Sequence, residues 1–254
     1  MRTRDYAPGG YRCIEGVFQY SAGVRAMPGF EIVRVRFRDP VPLAEGFERI
    51  ERYLGAAGRS PAAFCACELR SPAPFSEAGF RAFNEAYVGV LERWGIYREG
   101  LNPIARSNVC PDVAPPPAPA FHAFSYTRPA GGTVPSFVIA GSGEVPEGRA
   151  NYRDHIVASG DTSPAGMQQK ARWVLGEMER RLAALALGWA DTTDTQVYTA
   201  QDIPAALARE LVGRGASGRG ASGRGFTWHF DRPPITGLEF EMDCRGVGTE
   251  LIYE

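Results

Sequence analysis

One order of elements is written twice along this chain, about 120 residues apart, and no other feature restricts the fold so tightly. In the first copy, 16–23 and 30–37 read as strands, the second alternating apolar and charged residues as a half-buried strand does. A helix is expected over 42–58, where Leu43, Phe47, Ile50 and Leu54 fall at helical spacing and Gly58 supplies a stop. A strand at 64–69 and a helix at 75–94 follow, then strands at 105–110 and 121–127. The second copy repeats the plan: strands at 136–143 and 155–160, a long helix over 164–187 ended by Gly188, a strand at 194–199, a helix at 203–211, and strands at 226–230 and 238–243. A period this long exceeds solenoid repeats and indicates two similar domains, 1–130 and 131–254, divided at the Gly- and Pro-containing stretch 128–133.

Composition narrows the function classes. A formal charge of −1 over 254 residues gives no field for nucleic acid or an anionic membrane, so neither is expected as a partner. No apolar run approaches the roughly 20 residues that span a bilayer, and Met1-Arg-Thr-Arg-Asp5 leads into Ala-Pro-Gly-Gly and not into an apolar signal core; a cytoplasmic protein is expected. Cys13, Cys65, Cys67, Cys110 and Cys244 are odd in number and scattered, which suits buried thiols and not a disulfide framework. His122, His155 and His229 show no ligand spacing, and no phosphate-loop pattern is present, so no metal or cofactor is expected. Residues 213–225 repeat Gly-Arg-Gly-Ala-Ser. This is either a flexible loop or an anion-binding flap lined by Arg214, Arg219 and Arg224.

Two groups of residues carry candidate chemistry. Arg106 lies in Asn102-Pro-Ile-Ala-Arg-Ser-Asn-Val-Cys-Pro111, behind an amphipathic helix; its planar fork of donors suits a carboxylate, and its alternative is a surface salt bridge. Glu239, Glu241 and Asp243 alternate along one strand face, either solvated or lining a cleft where crowding raises a pKa for proton transfer. His229 is a structural or a catalytic histidine, and Cys110, on the Arg106 strand face, is a site-lining thiol and not a nucleophile.

Phe83-Asn-Glu-Ala-Tyr87 in a helix, followed by Pro103-Ile-Ala-Arg-Ser-Asn-Val109, resembles the helix and strand of the Rid (reactive intermediate deaminase) superfamily. In the second half the long helix ending in Ala-Leu-Gly-Trp-Ala-Asp191 and the closing Leu-Glu-Phe-Glu-Met-Asp243 continue that pattern. The resemblance implies an α+β chain of two tandem Rid-like, chorismate-mutase-like modules, each a mixed sheet with two helices on one face, assembled as a homo-oligomer, a trimer, with sites between modules. It assigns the substrate carboxylate to Arg106 with Ser107, and the hydrolytic water to Glu239 with Glu241 as neighbour. The first half offers only His122 in its closing strand and the second lacks the arginine tetrad, with Arg224 a loose substitute, which implies one composite site. A tandem chain of this size is similar to the long aminomuconate deaminases. These imply a small dicarboxylate enamine substrate, held by Arg106, Arg232 and Arg224 and hydrolysed to release ammonia. A chorismatase-like hydrolase and a non-catalytic ligand-binding Rid protein are the alternatives.

Overall fold

Alternating side chains on Phe30–Pro42 decide how the first layer forms: Val33, Val35 and Phe37 are buried in an apolar core, while Arg34, between them, turns to the opposite face. The structure, a computed structural model, describes residues 1–132, 134–149, 151–203, 205–215 and 225–254. A hairpin of β1 (Thr3–Tyr6) and β2 (Tyr11–Ile14) and a short β3 (Gly23–Ala26) precede that long strand, β4. There follow α1 (Leu43–Ala56), β5 (Phe64–Arg70), α2 (Glu77–Arg93), β6 (Ala105–Pro111) and β7 (Ala120–Pro129). The second half supplies β8 (Phe137–Gly143), α3 (Pro164–Ala184), β9 (Asp194–Tyr198), α4 (Ala205–Gly213), β10 (Thr227–His229), β11 (Asp231–Arg232), β12 (Glu241–Gly246) and β13 (Thr249–Tyr253).

The architecture is α+β, with two mixed sheets that each carry two helices on one face. Six strands in the order β11-β6-β5-β7-β4-β13 lie under α1 and α2; seven in the order β1-β2-β3-β8-β12-β9-β10 lie under α3 and α4. The faces turned away from the helices meet in a buried polar layer. There Arg34 grips Glu68 through two bonds of 2.6 and 2.8 Å, and Arg70 lies over the Tyr198 ring at 5.5 Å. Neither sheet is built from one half of the chain. β13 pairs in parallel with β4, Thr249 opposite Val33, while β3 pairs with β8, Gly23 opposite Ile139.

Several expected elements end up elsewhere. Residues 16–23 form a turn with a Val17–Tyr20 bridge before β3 begins. No strand forms over 155–160, where a single turn of helix at Arg153–His155 gives way to left-handed backbone at Ala158 (φ +48°) and Gly160 (φ +72°). α3 stops at Ala184, and the left-handed residue beyond it is Ala186 (φ +55°); Gly188 is extended at φ −146°. The strand expected at 238–243 opens at Glu241 as β12, because the amides of Glu239 and Phe240 donate to the Glu144 carboxylate instead of to a ladder. Of the arginines expected on the Gly-Arg-Gly-Ala-Ser stretch, Arg219 and Arg224 lie outside the described residues, and Arg214 pairs with Glu179 at 3.0 Å. Among the described residues no helix is long and apolar enough to cross a membrane.

Candidate active site

Arg106 sits in the middle of a strand whose neighbours force its side chain toward α2. There it is caged by aromatic rings, its guanidinium carbon 4.8 Å from the Tyr87 centroid, 5.4 Å from Tyr20 and 5.5 Å from Phe83. Tyr87 and Phe83 are one helical turn apart on α2, and Asn84 between them accepts from Arg106 Nη2 at 2.6 Å. The residue is only 3% exposed, yet Nη1 has no partner. Two more buried donors nearby are equally unpaired: Asn84 Nδ2, and Nδ2 of Asn108, whose Oδ1 accepts from the Ser71 hydroxyl. Buried N–H groups are normally paired, since each orphan costs about 1–3 kcal/mol. Three in one place form a receptacle for an acceptor, and a carboxylate fits both the fork and the charge.

Opposite this receptacle, across the seam between the sheets, stands Glu241. Arg106, Asn108 and Glu241 line one cavity of about 40 Å³ together with Tyr20, Glu147 and Tyr152. Phe80 and Tyr152 also border a wider cleft of about 420 Å³ that carries Arg81, Arg149 and Asn84 on its rim. The fourth unpaired buried atom, Gln19 Oε1, is an acceptor whose residue lines that cleft. Burial first, then the charges of Asp243 and Glu144, pushes the Glu241 carboxyl well above its ordinary range, against the pull of Arg181 and Arg106. Burial thus favours its protonated form at the cavity wall. Behind it Asp243 is held at about 6 by burial and by Glu68, eased by hydrogen bonds from Ser107 and Tyr198.

The other expected site residues divide by position. Glu239 is off the cavity wall and accepts from Gln201 Nε2 at 2.9 Å. Arg232 pairs with Asp112 at 2.7 Å, away from both hollows. Ser107 turns to the opposite strand face from Arg106 and meets Asp243. Cys110 is buried beside β11, its thiol pushed up to about 12 by burial and by Glu241 and Asp231. His229 stacks on Tyr198 with centroids 4.9 Å apart, bonds Gln196 through Nε2, and is held down at about 4 by burial and by Arg70. Arg224 lies outside the described residues. Sequence reasoning missed Glu147, which reads as part of a Val-Pro-Glu-Gly turn, and Tyr20, which sits in a segment read as strand; neither has periodicity to mark it. Asn84 stood in the quoted helix motif, but nothing local shows which acceptor it takes. Among the described residues no cluster of His, Cys, Asp and Glu is arranged to hold a metal ion.

Fold and cavity together define a class: a two-sheet α+β protein with a composite pocket lined by a buried arginine from one half and a buried carboxyl from the other. The chain belongs to the family described as 2-aminomuconate deaminase CnbZ, whose model matches residues 3–251. It is 52% identical over 249 residues, 97% of either chain, to 2-amino-5-chloromuconate deaminase of Comamonas testosteroni. Among solved structures, the YjgF gene product from E. coli is similar over 44% of this chain and 80% of its own, with 17% identity and a TM-score of 0.31.

Proposed function

We propose that this protein is a hydrolytic deaminase that releases ammonia from 2-aminomuconate or a chlorinated analogue. The observation that carries this reading is the cavity in which unpaired buried donors of Arg106 and Asn108 face the Glu241 carboxyl, raised by burial. An aminomuconate is a dicarboxylate enamine. Arg106 Nη1 and Asn108 Nδ2 take the carboxylate next to the amino carbon, which places the reacting carbon chain beside Glu241. Glu241 then donates its proton to carbon, turning the enamine into an iminium ion, and water adds to the C=N carbon before ammonia departs. A six-carbon substrate is longer than the cavity, so its far end lies in the cleft, where Arg81 and Arg149 are placed for the second carboxylate. Water is the only co-reactant such a hydrolysis needs. The family supports the substrate class, and the composite cavity supports one site per chain.

We further propose that the protein acts in the cytoplasm as a homotrimer. Both sheets end in edge strands bearing exposed apolar side chains, Ile252 at 61% on β13 and Trp228 at 43% on β10, which suits them to contacts between copies. Light scattering on the purified protein gives the mass directly.

Ammonia release from freshly generated 2-aminomuconate, against a buffer blank, tests the activity. Arg106→Ala is expected to lower kcat/KM by about 10²–10³, the worth of a lost charged hydrogen-bonded contact of roughly 3–4 kcal/mol. Glu241→Gln is expected to keep binding and lose turnover. A wild type that matches the blank while binding dicarboxylates refutes the deaminase and leaves a ligand-binding protein; pyruvate released from chorismate makes it a chorismatase-like hydrolase.

A further inference from the structure

We infer that Glu147 is the base of this site, the carboxylate that takes a proton from the water attacking the imine carbon. The inference rests on the deaminase reading above and adds the residue that reading lacks. Glu241 accounts for proton delivery to carbon, and the attacking water must in turn lose a proton to a base placed beside it. Glu147 is the other carboxylate lining the same cavity, and its geometry suits it to that part.

Its setting is the reverse of that around Glu241. Glu147 Oε1 accepts from Arg181 Nη2 at 2.7 Å and from the Tyr20 hydroxyl at 2.7 Å. Arg181 is fully buried and itself fixed, donating to Glu177 Oε1 at 3.1 Å and to the carbonyls of Ala140 and Gly141 at 3.0 and 3.2 Å. A guanidinium cannot be deprotonated in a protein, so Glu147 faces a permanent positive charge. Among the described residues nothing donates to Oε2, and the side chain keeps 23% of its surface exposed. One oxygen is thus anchored and the other is open for a water. Tyr20 ties the two ends of the site together, since its hydroxyl holds Glu147 while its ring packs on Arg106. Two carboxyls in one cavity, one neutralised by burial and one ion-paired, make an acid and a base.

The steps balance. Glu241 gives its proton to carbon and the enamine becomes an iminium ion. The oxygen of water bonds to the C=N carbon, the π pair moves to nitrogen, and Glu147 takes one proton from that water, leaving a neutral carbinolamine. Glu147 returns the proton to nitrogen, the C–N bond breaks with its electron pair leaving on ammonia, and C=O forms as the hydroxyl proton passes to the Glu241 carboxylate and restores the acid; the product is the 2-oxo acid.

Because the two carboxyls act in different steps, they separate experimentally. In D₂O, reversible protonation by Glu241 exchanges the ring-derived vinyl hydrogen of 2-aminomuconate for deuterium even when no water is added. Glu147→Gln is expected to lower ammonia release by about 10²-fold or more, while deuterium exchange into recovered substrate and the Kd for cis,cis-muconate stay within about threefold. Glu241→Gln should lose exchange and ammonia together. Glu147→Asp keeps a charge for Arg181 but withdraws the free oxygen, and it too should lose ammonia release; in Glu147→Gly, added formate should restore part of the rate. The inference is overturned if folded Glu147→Gln or Glu147→Asp keeps more than about a tenth of the wild-type rate, or if exchange disappears with the ammonia. Wild-type protein that releases no ammonia sinks the deaminase reading itself, a result distinct from either.

Discussion

A methyl group at residue 141 would stand where Glu241 already is. A Cβ built on Gly141 collides with Glu241 Oε1 and comes within 3.0 Å of Ser107 Cβ, so the strand behind the cavity must be bare there. Gly141→Ala is expected to push the carboxyl out of line and reduce ammonia release at least tenfold, with Kd for muconate nearly unchanged; unaltered turnover would show that Glu241 need not sit where it does. The acid has a pH signature as well. Its carboxyl is raised by burial, the working form is protonated, and activity is therefore lost as pH rises through that raised value. The kcat profile of wild type should fall on its alkaline side, and a profile that falls only on its acid side would exclude a titrating acid. Arg106 is legible in the sequence as a candidate because an arginine among apolar residues behind an amphipathic helix is out of place on a core strand. The resemblance put Glu239 first with Glu241 as its neighbour, and the residue pattern alone does not separate them, since a two-residue period puts both on one face. What separates them is Glu144, distant in sequence, which takes the amides of 239 and 240 and delays the strand until Glu241.

That clamp joins three elements and depends on a buried ion pair. Lys170 on α3 meets Glu144 at 3.2 Å and also donates to the Val157 carbonyl at 2.9 Å; both charged side chains are fully buried. Removing one partner leaves an unpaired charge in the interior, which costs about 3–5 kcal/mol, whereas removing both costs less. Lys170→Met should therefore lower stability in urea by that order and Lys170→Met/Glu144→Gln by less, and a single variant as stable as wild type would mean the pair is not holding the strand start. A smaller effect is expected at the end of α3, where Ala186 holds a left-handed conformation while exposed. Ala186→Gly should raise stability by about 0.5–1 kcal/mol, because glycine adopts that backbone without a Cβ penalty. The sequence pointed to Gly188 as the stop, and its reading of 155–160 as strand failed for a related reason: local apolar pattern does not reveal backbone forced left-handed at Ala158. Helices α1 and α2 were readable throughout because their apolar stripes and flanking glycines agree, with Gly58 and Gly95 left-handed at φ +67° and +69°.

Between the sheets the molecule carries a charged layer in place of an apolar one, and its histidines respond to acid. Burial and then Arg70 hold His122 at about 3 and His229 at about 4, so both stay neutral when folded while unfolded imidazoles gain protons below about 6.5. Those two groups withdraw stability as pH falls from about 6.5 toward 4, whereas Asp243, held at about 6, acts in the opposite sense. Replacing His229 by Asn should make Tm fall less between pH 7 and pH 5 than it does in wild type, and an equal fall would remove His229 from that balance. The same layer joins the two written copies. Period and linker divide the sequence at 130/131, but pairing across it is not a local property. β1 to β3 complete the sheet of the second half through β8, and β13 completes that of the first through β4, where Glu250 also bonds Arg34 at 3.1 Å and Arg245 at 3.0 Å. A fragment 1–130 thus lacks the strand that covers β4 and leaves the β1–β3 ribbon without the β8 edge that it joins; a fragment 131–254 lacks the strand that covers β8. Expressed apart, neither is expected to unfold cooperatively, because each exposes a long unpaired edge and half of a buried ionic layer. Mixed or co-expressed, the two should recover a single transition, and ammonia release with it, since Arg106 and Glu241 then face one cavity again. A cooperative melt from either fragment alone would show that the exchanged strands are accessory and that each half folds on its own core.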